Sequence, residues 1–143
     1  MSKLVMVVDD EEDFLYEVRK MLKKEGLRVV TAKNGEEALE MLKETKPDLM
    51  LLDVMMPGLD GWSLAERIKK KEDTKNITIT MLTVKDSLDD KVKSLEDSGA
   101  DWHISKPIDR SGFVDTVKWL LKSPPRNSER IDMSEANRGE VQK

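Results

Sequence analysis

The sequence contains no cysteine, which excludes disulfide bonds, thiol nucleophiles and cysteine-based metal sites. No apolar run approaches the ~18 residues that a membrane-spanning helix needs. The apolar N-terminal segment meets Asp9 and Asp10 too early for the core of a signal peptide. The net charge of −4 provides no basic surface for nucleic acid or for an anionic membrane. We therefore expect a cytoplasmic protein with no nucleic-acid or membrane partner.

The composition favours one soluble domain with a hydrophobic core. The chain has 143 residues, of which 38% are apolar and 38% are charged. We expect this domain to cover residues 1–122. The remaining residues, 123–143, include Pro124 and Pro125, which should stop the last helix, and then few apolar side chains. They are expected to form a flexible tail or the start of a linker.

Short apolar segments alternate with segments of helical periodicity. The predicted strands are 4–8, 27–32, 49–52 continuing to 53, 77–82 and 102–104. Asn34 is predicted to cap the second helix, with Glu37 as its capping-box partner. Asp86 or Ser87 is predicted to cap the fourth. Five strands alternating with five helices predict an α/β fold with right-handed crossovers and a parallel sheet.

Polar side chains stand at the carboxyl ends of four predicted strands. These residues are Asp9 and Asp10, Asp53, Thr83 and Lys106. Ligands of open parallel sheets bind at this edge. Three clustered carboxylates repel one another unless a cation lies among them. Oxygen ligands without histidine or cysteine nearby favour Mg²⁺, Mn²⁺ or Ca²⁺ over Zn²⁺.

The same residue types suit transfer of a phosphoryl group. An aspartate can act as the nucleophile and form an acyl phosphate. Lys106 can bind phosphoryl oxygens as a point charge, and Thr83 can donate a hydrogen bond to one of them. We therefore predict that Asp53 receives a phosphoryl group, while a metal ion and Lys106 offset charge during in-line transfer.

Four stretches resemble the receiver domain of two-component response regulators: VMVVDDE at 5–11, LLDVMMPGLDG at 51–61, MLTVKD at 81–86 and SGADWHISKP at 98–107. The resemblance extends from residue 3 to about residue 122. It implies a doubly wound, flavodoxin-like sheet of five strands in the order 2-1-3-4-5. It also implies a switch that phosphorylation drives and that controls partner binding.

The resemblance assigns the donor and the metal ligands. It implies that Asp53 takes its phosphoryl group from a phosphohistidine on a sensor histidine kinase or a histidine phosphotransfer protein. Asp10, Asp53 and the backbone carbonyl of Met55 would bind Mg²⁺ directly. Asp9 would act through a metal-bound water.

The resemblance also assigns the response to phosphorylation. Thr83 and Lys106 would hold the phosphoryl oxygens, and the peptide bond between Lys106 and Pro107 would be cis. The change would be conveyed to the surface formed by residues 87–121, where an unidentified output partner would bind. A phosphorylation-dependent dimer is a further form that the resemblance allows.

His103 departs from the family pattern, because the position three before the lysine usually holds a Tyr or Phe ring that swings inward as the threonine moves. His103 is either a partly exposed strand residue or a ring switch that responds to pH near its ordinary pKa of ~6.5. Trp102 should point to the other face of the sheet and so should not replace that ring.

Three further positions are expected to modulate the site. Val84 stands where the family usually has Ala or Gly, and its bulk predicts slower access for water and for small phosphodonors. Met55 and Lys85 lie two residues beyond Asp53 and Thr83, at positions that the family varies to set the lifetime of the phosphoryl group.

Two rival functions remain open at this point. One is a Mg²⁺-dependent phosphohydrolase with an aspartyl-phosphate intermediate. Such enzymes commonly place a second aspartate two residues after the nucleophile, where this chain has Met55, so we expect no turnover of an external substrate. The other is an interaction domain that acts without phosphate. The chain is either a stand-alone receiver or the first part of a longer protein.

Overall fold

The computed structural model describes residues 2–84 and 97–123. Its strands are β1 (Leu4–Val8), β2 (Arg28–Ala32), β3 (Leu49–Asp53), β4 (Thr78–Val84) and β5 (Trp102–Lys106). Its helices are α1 (Glu12–Lys23), α2 (Gly35–Met41), α3 (Gly61–Lys70) and, in our numbering of the described helices, α4 (Arg110–Lys122). The helix predicted to start at Asp86 or Ser87, the modulating residue Lys85 and the tail from residue 124 lie outside the described residues.

The five strands form one parallel sheet in the order β2-β1-β3-β4-β5, which confirms the predicted topology. In the register, Val8 lies beside Leu52. Farther along the sheet, Asp53 lies beside Leu82. The carboxyl ends of β1, β3, β4 and β5 therefore meet at one edge, where the sequence had placed its polar side chains.

Helices cover both faces of the sheet, and this explains the continuous apolar runs of its central strands. β1 and β3 are buried along their whole length, whereas β2, at the sheet edge, is largely half-buried. A strand buried on both faces carries no polar alternation. β1 (LVMVV) is apolar throughout, and β3 (LMLLD) is apolar except for its last residue, Asp53.

Each face has its own hydrophobic cluster. On one face α2 and α3 pack against the sheet; the fully buried side chains of this cluster are Met6, Val8, Ala38, Met50, Leu52, Leu64, Ala65, Ile68, Ile79, Met81 and Ala100. On the other face α1 and α4 pack; its fully buried side chains are Val5, Val7, Val18, Leu22, Leu49, Leu51, Leu82, Val117 and Leu120. No helix in ranges 2–84 and 97–123 is long and apolar enough to cross a membrane.

Two local predictions need correction. Asn34 caps α2 by accepting from the Glu37 N–H at 2.7 Å, but the Glu37 carboxylate accepts from the Lys33 N–H at 2.6 Å. A capping box would instead bring that carboxylate to the N–H of the capping residue itself. In addition, β5 continues two residues beyond its predicted end, because Ser105 and Lys106 still pair with β4.

Candidate functional site

An acidic cluster lies where β1 and β3 end side by side. Asp9, Asp10 and Asp53 each offer a carboxylate oxygen, and these oxygens lie within 4.8 Å of one another. Asp9 is 1% exposed and Asp53 is 7% exposed, whereas Asp10 is open to solvent. Sequence reasoning predicted this meeting from strand ends alone, and the structure brings all three residues together.

Asp9 is held on two sides and so fixes one wall of the cluster. Its Oδ1 accepts from the Glu11 N–H at 2.9 Å, and its Oδ2 accepts from Lys106 Nζ at 2.9 Å. Its own N–H donates to the Ala32 carbonyl at 3.1 Å, which extends the pairing with β2 by one residue. These bonds leave the side chain of Asp9 little freedom to turn away.

Lys106 brings a cation into the acidic cluster from the end of β5. Its Nζ lies 2.9 Å from Asp9, 3.4 Å from Asp53 and 4.4 Å from the centre of the Phe14 ring. Burial lowers the pKa of Lys106, but the hydrogen bond and the charge of Asp9, followed by those of Asp53, outweigh it and raise the pKa overall. The ammonium therefore stays charged at neutral pH.

The single positive charge of Lys106 does not fully neutralise the negative charge of the three carboxylates. Burial and the charge of Asp9 raise the pKa of Asp53 from 3.8 to about 6, with a smaller contribution from Asp10, although Lys106 acts in the opposite direction. The cluster thus holds negative charge in a partly desolvated place. Its donors are all carboxylate oxygens, so the residues present fit a hard divalent cation such as Mg²⁺.

The hydroxyl of Thr83 is the polar group that β4 adds to this edge. Thr83 is 4% exposed, and its Oγ1 has no hydrogen-bond partner within the described ranges. A buried hydroxyl without a partner costs roughly 1–3 kcal/mol. Such a donor suits an oxygen atom supplied by a ligand.

Gly61 is a residue of the site that sequence reasoning treated only as part of a turn. A Cβ placed on it would lie 2.1 Å from the carbonyl oxygen of Asp53, and its N–H donates to the Val54 carbonyl at 3.0 Å. The first residue of α3 therefore packs directly on the backbone of the aspartate. In the sequence, a glycine at the start of a helix soon after the end of a strand could have indicated this close contact.

Of the predicted modulating residues, the structure describes Met55 and Val84. Met55 is 74% exposed and Val84, the last residue of β4, is 56% exposed, so both side chains face solvent. His103 is half-buried beside Met81. Trp102 lies on the other face, with its ring centre 5.0 Å from that of Trp119, as strand alternation predicted.

Two further positions complete the comparison with the sequence. The peptide bond between Lys106 and Pro107 is cis, as the resemblance implied. Phe14 was assigned only to the apolar face of the first helix, and its contact with Lys106 was missed. Helical periodicity predicts the face on which a ring lies, but it does not predict which side chain of another element contacts that ring.

Comparisons with known proteins agree with this geometry. The sequence model of the response regulator receiver domain matches residues 5–118. The signal receiver domain of a signal transduction histidine kinase from Syntrophus aciditrophicus is 33% identical; the match covers 85% of this chain and 91% of that one, with a TM-score of 0.78.

Two further solved structures are similar over nearly their whole length. The Vibrio cholerae chemotaxis protein CheY4 is 27% identical, with 82% of this chain and 98% of that one covered and a TM-score of 0.78. The receiver domain of the Francisella response regulator 1452 is 29% identical, with 85% and 98% covered and a TM-score of 0.77.

Proposed function

This chain belongs to the response regulator receiver domain family, and on that premise we propose that Asp53 is its phosphoryl acceptor. The observation that carries the proposal is the position of Lys106 Nζ between the carboxylates of Asp9 and Asp53. A cation at this point offsets charge on the acceptor and lies within reach of a group attached to it. Asp9 lies nearer to this ammonium, but its two carboxylate oxygens already accept from the Glu11 N–H and from Lys106.

We propose Mg²⁺ as the metal, with Mn²⁺ and Ca²⁺ as ions that the same oxygen ligands accept. Asp10 and Asp53, together with the backbone carbonyl of Met55, would hold it directly, and Asp9 would hold a metal-bound water. When bound, the metal neutralises charge on the acceptor and on the incoming phosphoryl oxygens. The three carboxylates and the raised pKa of Asp53 support this assignment.

In the proposed transfer, a carboxylate oxygen of Asp53 bonds to phosphorus as the P–N bond of a partner's phosphohistidine breaks. The imidazole nitrogen keeps the electron pair of that bond. Lys106 Nζ and the Thr83 hydroxyl would bind oxygens of the transferred group. The partner is a histidine kinase or a histidine phosphotransfer protein; in support, one similar structure is itself the receiver domain of a histidine kinase.

Phosphoramidate offers the test, because it carries a P–N bond as phosphohistidine does. With Mg²⁺ present, the intact mass should rise by one phosphoryl group, and hydroxylamine should remove it as an acyl phosphate. Asp53→Asn should take up none, while Asp73→Asn, a change at an exposed carboxylate away from the cluster, should react as the unmodified protein does. Uptake by Asp53→Asn at the original rate, or a label mapped to another residue, would refute the proposal.

We propose that phosphorylation works as a conformational switch. It adds about −1.5 to −2 charge at a site that is already acidic. Thr83 and Lys106 would be drawn toward the new group. The described part of the 87–121 surface includes β5, which ends at Lys106, and α4. Beryllofluoride with Mg²⁺ should therefore change amide chemical shifts on β5 and α4. If it changes none, the interaction domain that acts without phosphate becomes the better description.

We further propose that the chain does not turn over an external substrate and that it acts in the cytoplasm. Met55 occupies the position of an acid or base, and its exposed thioether supplies no proton. Phosphate release from p-nitrophenyl phosphate should be no faster with the unmodified protein than with Asp53→Asn. Sustained release that Asp53→Asn abolishes would favour the phosphohydrolase instead.

A further inference from the structure

Lys106 connects two strands that are not neighbours in the sheet. β5 stands at one end of the strand order and β1 is three places away, yet Lys106 Nζ lies 2.9 Å from Asp9. The same Nζ lies 3.4 Å from Asp53 at the end of β3, so the lysine and both carboxylates meet at the carboxyl edge of the sheet. A flexible four-carbon stem loses conformational freedom when it is held in one position. A further contact is therefore needed to fix the position of the Lys106 ammonium.

Phe14 supplies that contact from helix α1. It lies in the first turn of α1, its side chain is half-buried against the cluster under α1 and α4, and its ring centre is 4.4 Å from Lys106 Nζ. The negative face of an aromatic ring attracts an ammonium at this distance. The ring is also rigid and packed, so it limits the movement of the ammonium toward α1.

The ring differs from the other two partners of Lys106 in one respect. The carboxylates of Asp9 and Asp53 change their effective charge when a divalent cation or a phosphoryl group joins the cluster, whereas the ring stays neutral. We propose that Phe14 is the positioning residue for Lys106, holding its ammonium at the acceptor whether or not the carboxylates are engaged elsewhere. This inference rests on the function proposed above.

Beryllofluoride binding in saturating Mg²⁺ measures the effect, since this probe takes the place of a phosphoryl group on the acceptor. Phe14→Leu keeps apolar bulk and removes the ring. A cation–π contact of ordinary strength predicts about three- to tenfold weaker binding. Phe14→Tyr should restore the affinity to within about twofold, because it keeps the aromatic face. Phe14→Met provides a second non-aromatic variant if the leucine variant does not fold.

Tyr16 provides a matched control on the same helix. Its ring centre lies 4.9 Å from Lys20 Nζ, and its side chain is exposed. Tyr16→Leu removes a similar contact two residues away from Phe14 and should leave beryllofluoride binding unchanged. The Lys106 side-chain methylene protons give a second readout by NMR. Their upfield ring-current shift should disappear in Phe14→Leu and return in Phe14→Tyr.

The outcomes separate the inference from the function it rests on. If the unmodified protein binds beryllofluoride and Phe14→Leu binds it equally well, only the role of Phe14 is refuted. The same holds if Phe14→Tyr binds as weakly as Phe14→Leu, because an aromatic face would then be present without the expected effect. If the unmodified protein does not bind beryllofluoride with Mg²⁺, the proposed function fails and the inference fails with it.

Discussion

Asp53→Asn should stabilise the metal-free protein at neutral and alkaline pH. Asp53 is buried beside Asp9, and these two causes raise its pKa to about 6 against the opposing effect of Lys106. A carboxyl group with a raised pKa is more costly to ionise in the folded protein than in the unfolded chain. An amide of nearly the same shape removes that cost.

The raised pKa of Asp53 gives the size of the expected change in the free energy of unfolding. A rise from 3.8 to about 6 corresponds to about 3 kcal/mol of unfavourable free energy for ionised Asp53 in the folded state. We therefore expect the free energy of unfolding to increase by about 2–3 kcal/mol in Asp53→Asn at about pH 8. For a domain of this size, each kcal/mol moves the melting temperature by roughly 3 °C or more.

The direction of the pH dependence follows from proton binding. Between pH 3.8 and about 6 the folded protein holds a proton on Asp53 that the unfolded chain has released. The contribution of Asp53 to stability therefore falls as pH rises through this window. The advantage of Asp53→Asn should be complete above about pH 7 and should vanish below about pH 4.

Urea unfolding in chelator, followed by far-ultraviolet circular dichroism across that pH range, measures the difference. Added Mg²⁺ should largely cancel this difference, because Asp53→Asn would remove a proposed metal ligand. At one hundred times its dissociation constant, a metal stabilises the original protein by about 2.7 kcal/mol.

Asp73→Asn serves as the control, since Asp73 is exposed and lies outside the cluster. This change removes the same formal charge and should alter stability by less than about 0.5 kcal/mol at any pH. A gain in Asp53→Asn that is equally large at low and high pH would refute the electrostatic reasoning. No gain at high pH would refute it as well.

Three further changes probe the surroundings of the site. Gly61→Ala should cost several kcal/mol and impair phosphoryl uptake, because its Cβ would lie 2.1 Å from the Asp53 carbonyl oxygen. Gly112→Ala, whose Cβ would meet only the Asp109 carboxylate that caps α4, should cost no more than the roughly 0.5–2 kcal/mol of a helix cap and should leave phosphoryl uptake unchanged. Thr80→Val should raise the free energy of unfolding in urea by about 1–2 kcal/mol, since the Thr80 hydroxyl is buried without a hydrogen-bond partner in the described ranges, and a loss of stability would contradict this. Val84→Ala should speed the loss of the phosphoryl group, as followed by intact mass, and an unchanged rate would count against Val84 as a gate.

The sheet could be predicted from the sequence because its central strands are buried on both faces. Leu4–Val8 is a continuous apolar run and has the predicted bounds in the structure. Asp53 ends a similar run, and a charge in that position marks the carboxyl end of a strand. The acidic cluster followed from the rule that parallel strands end at a common edge.

The contacts that complete the site could not be predicted in the same way. Periodicity placed Phe14 on a helix face and Lys106 after a strand, but their contact depends on how two layers meet. The close approach of Gly61 to the Asp53 backbone could not be predicted either, because the number of residues between two positions does not give the distance between their atoms. The Glu37 carboxylate accepts from the Lys33 N–H and not from the adjacent Asn34 N–H, and this difference depends on local backbone geometry.

The bond between Lys106 and Asp9 joins residues that are 97 positions apart in the chain. Closing a loop of this length costs conformational entropy before the contact can form. A nascent chain that has not yet added β5 would carry Asp9, Asp10 and Asp53 without the ammonium that offsets their charge. Until β5 is in place, these carboxylates therefore have no neighbouring ammonium, so an unfinished copy lacks the charge balance of the folded site.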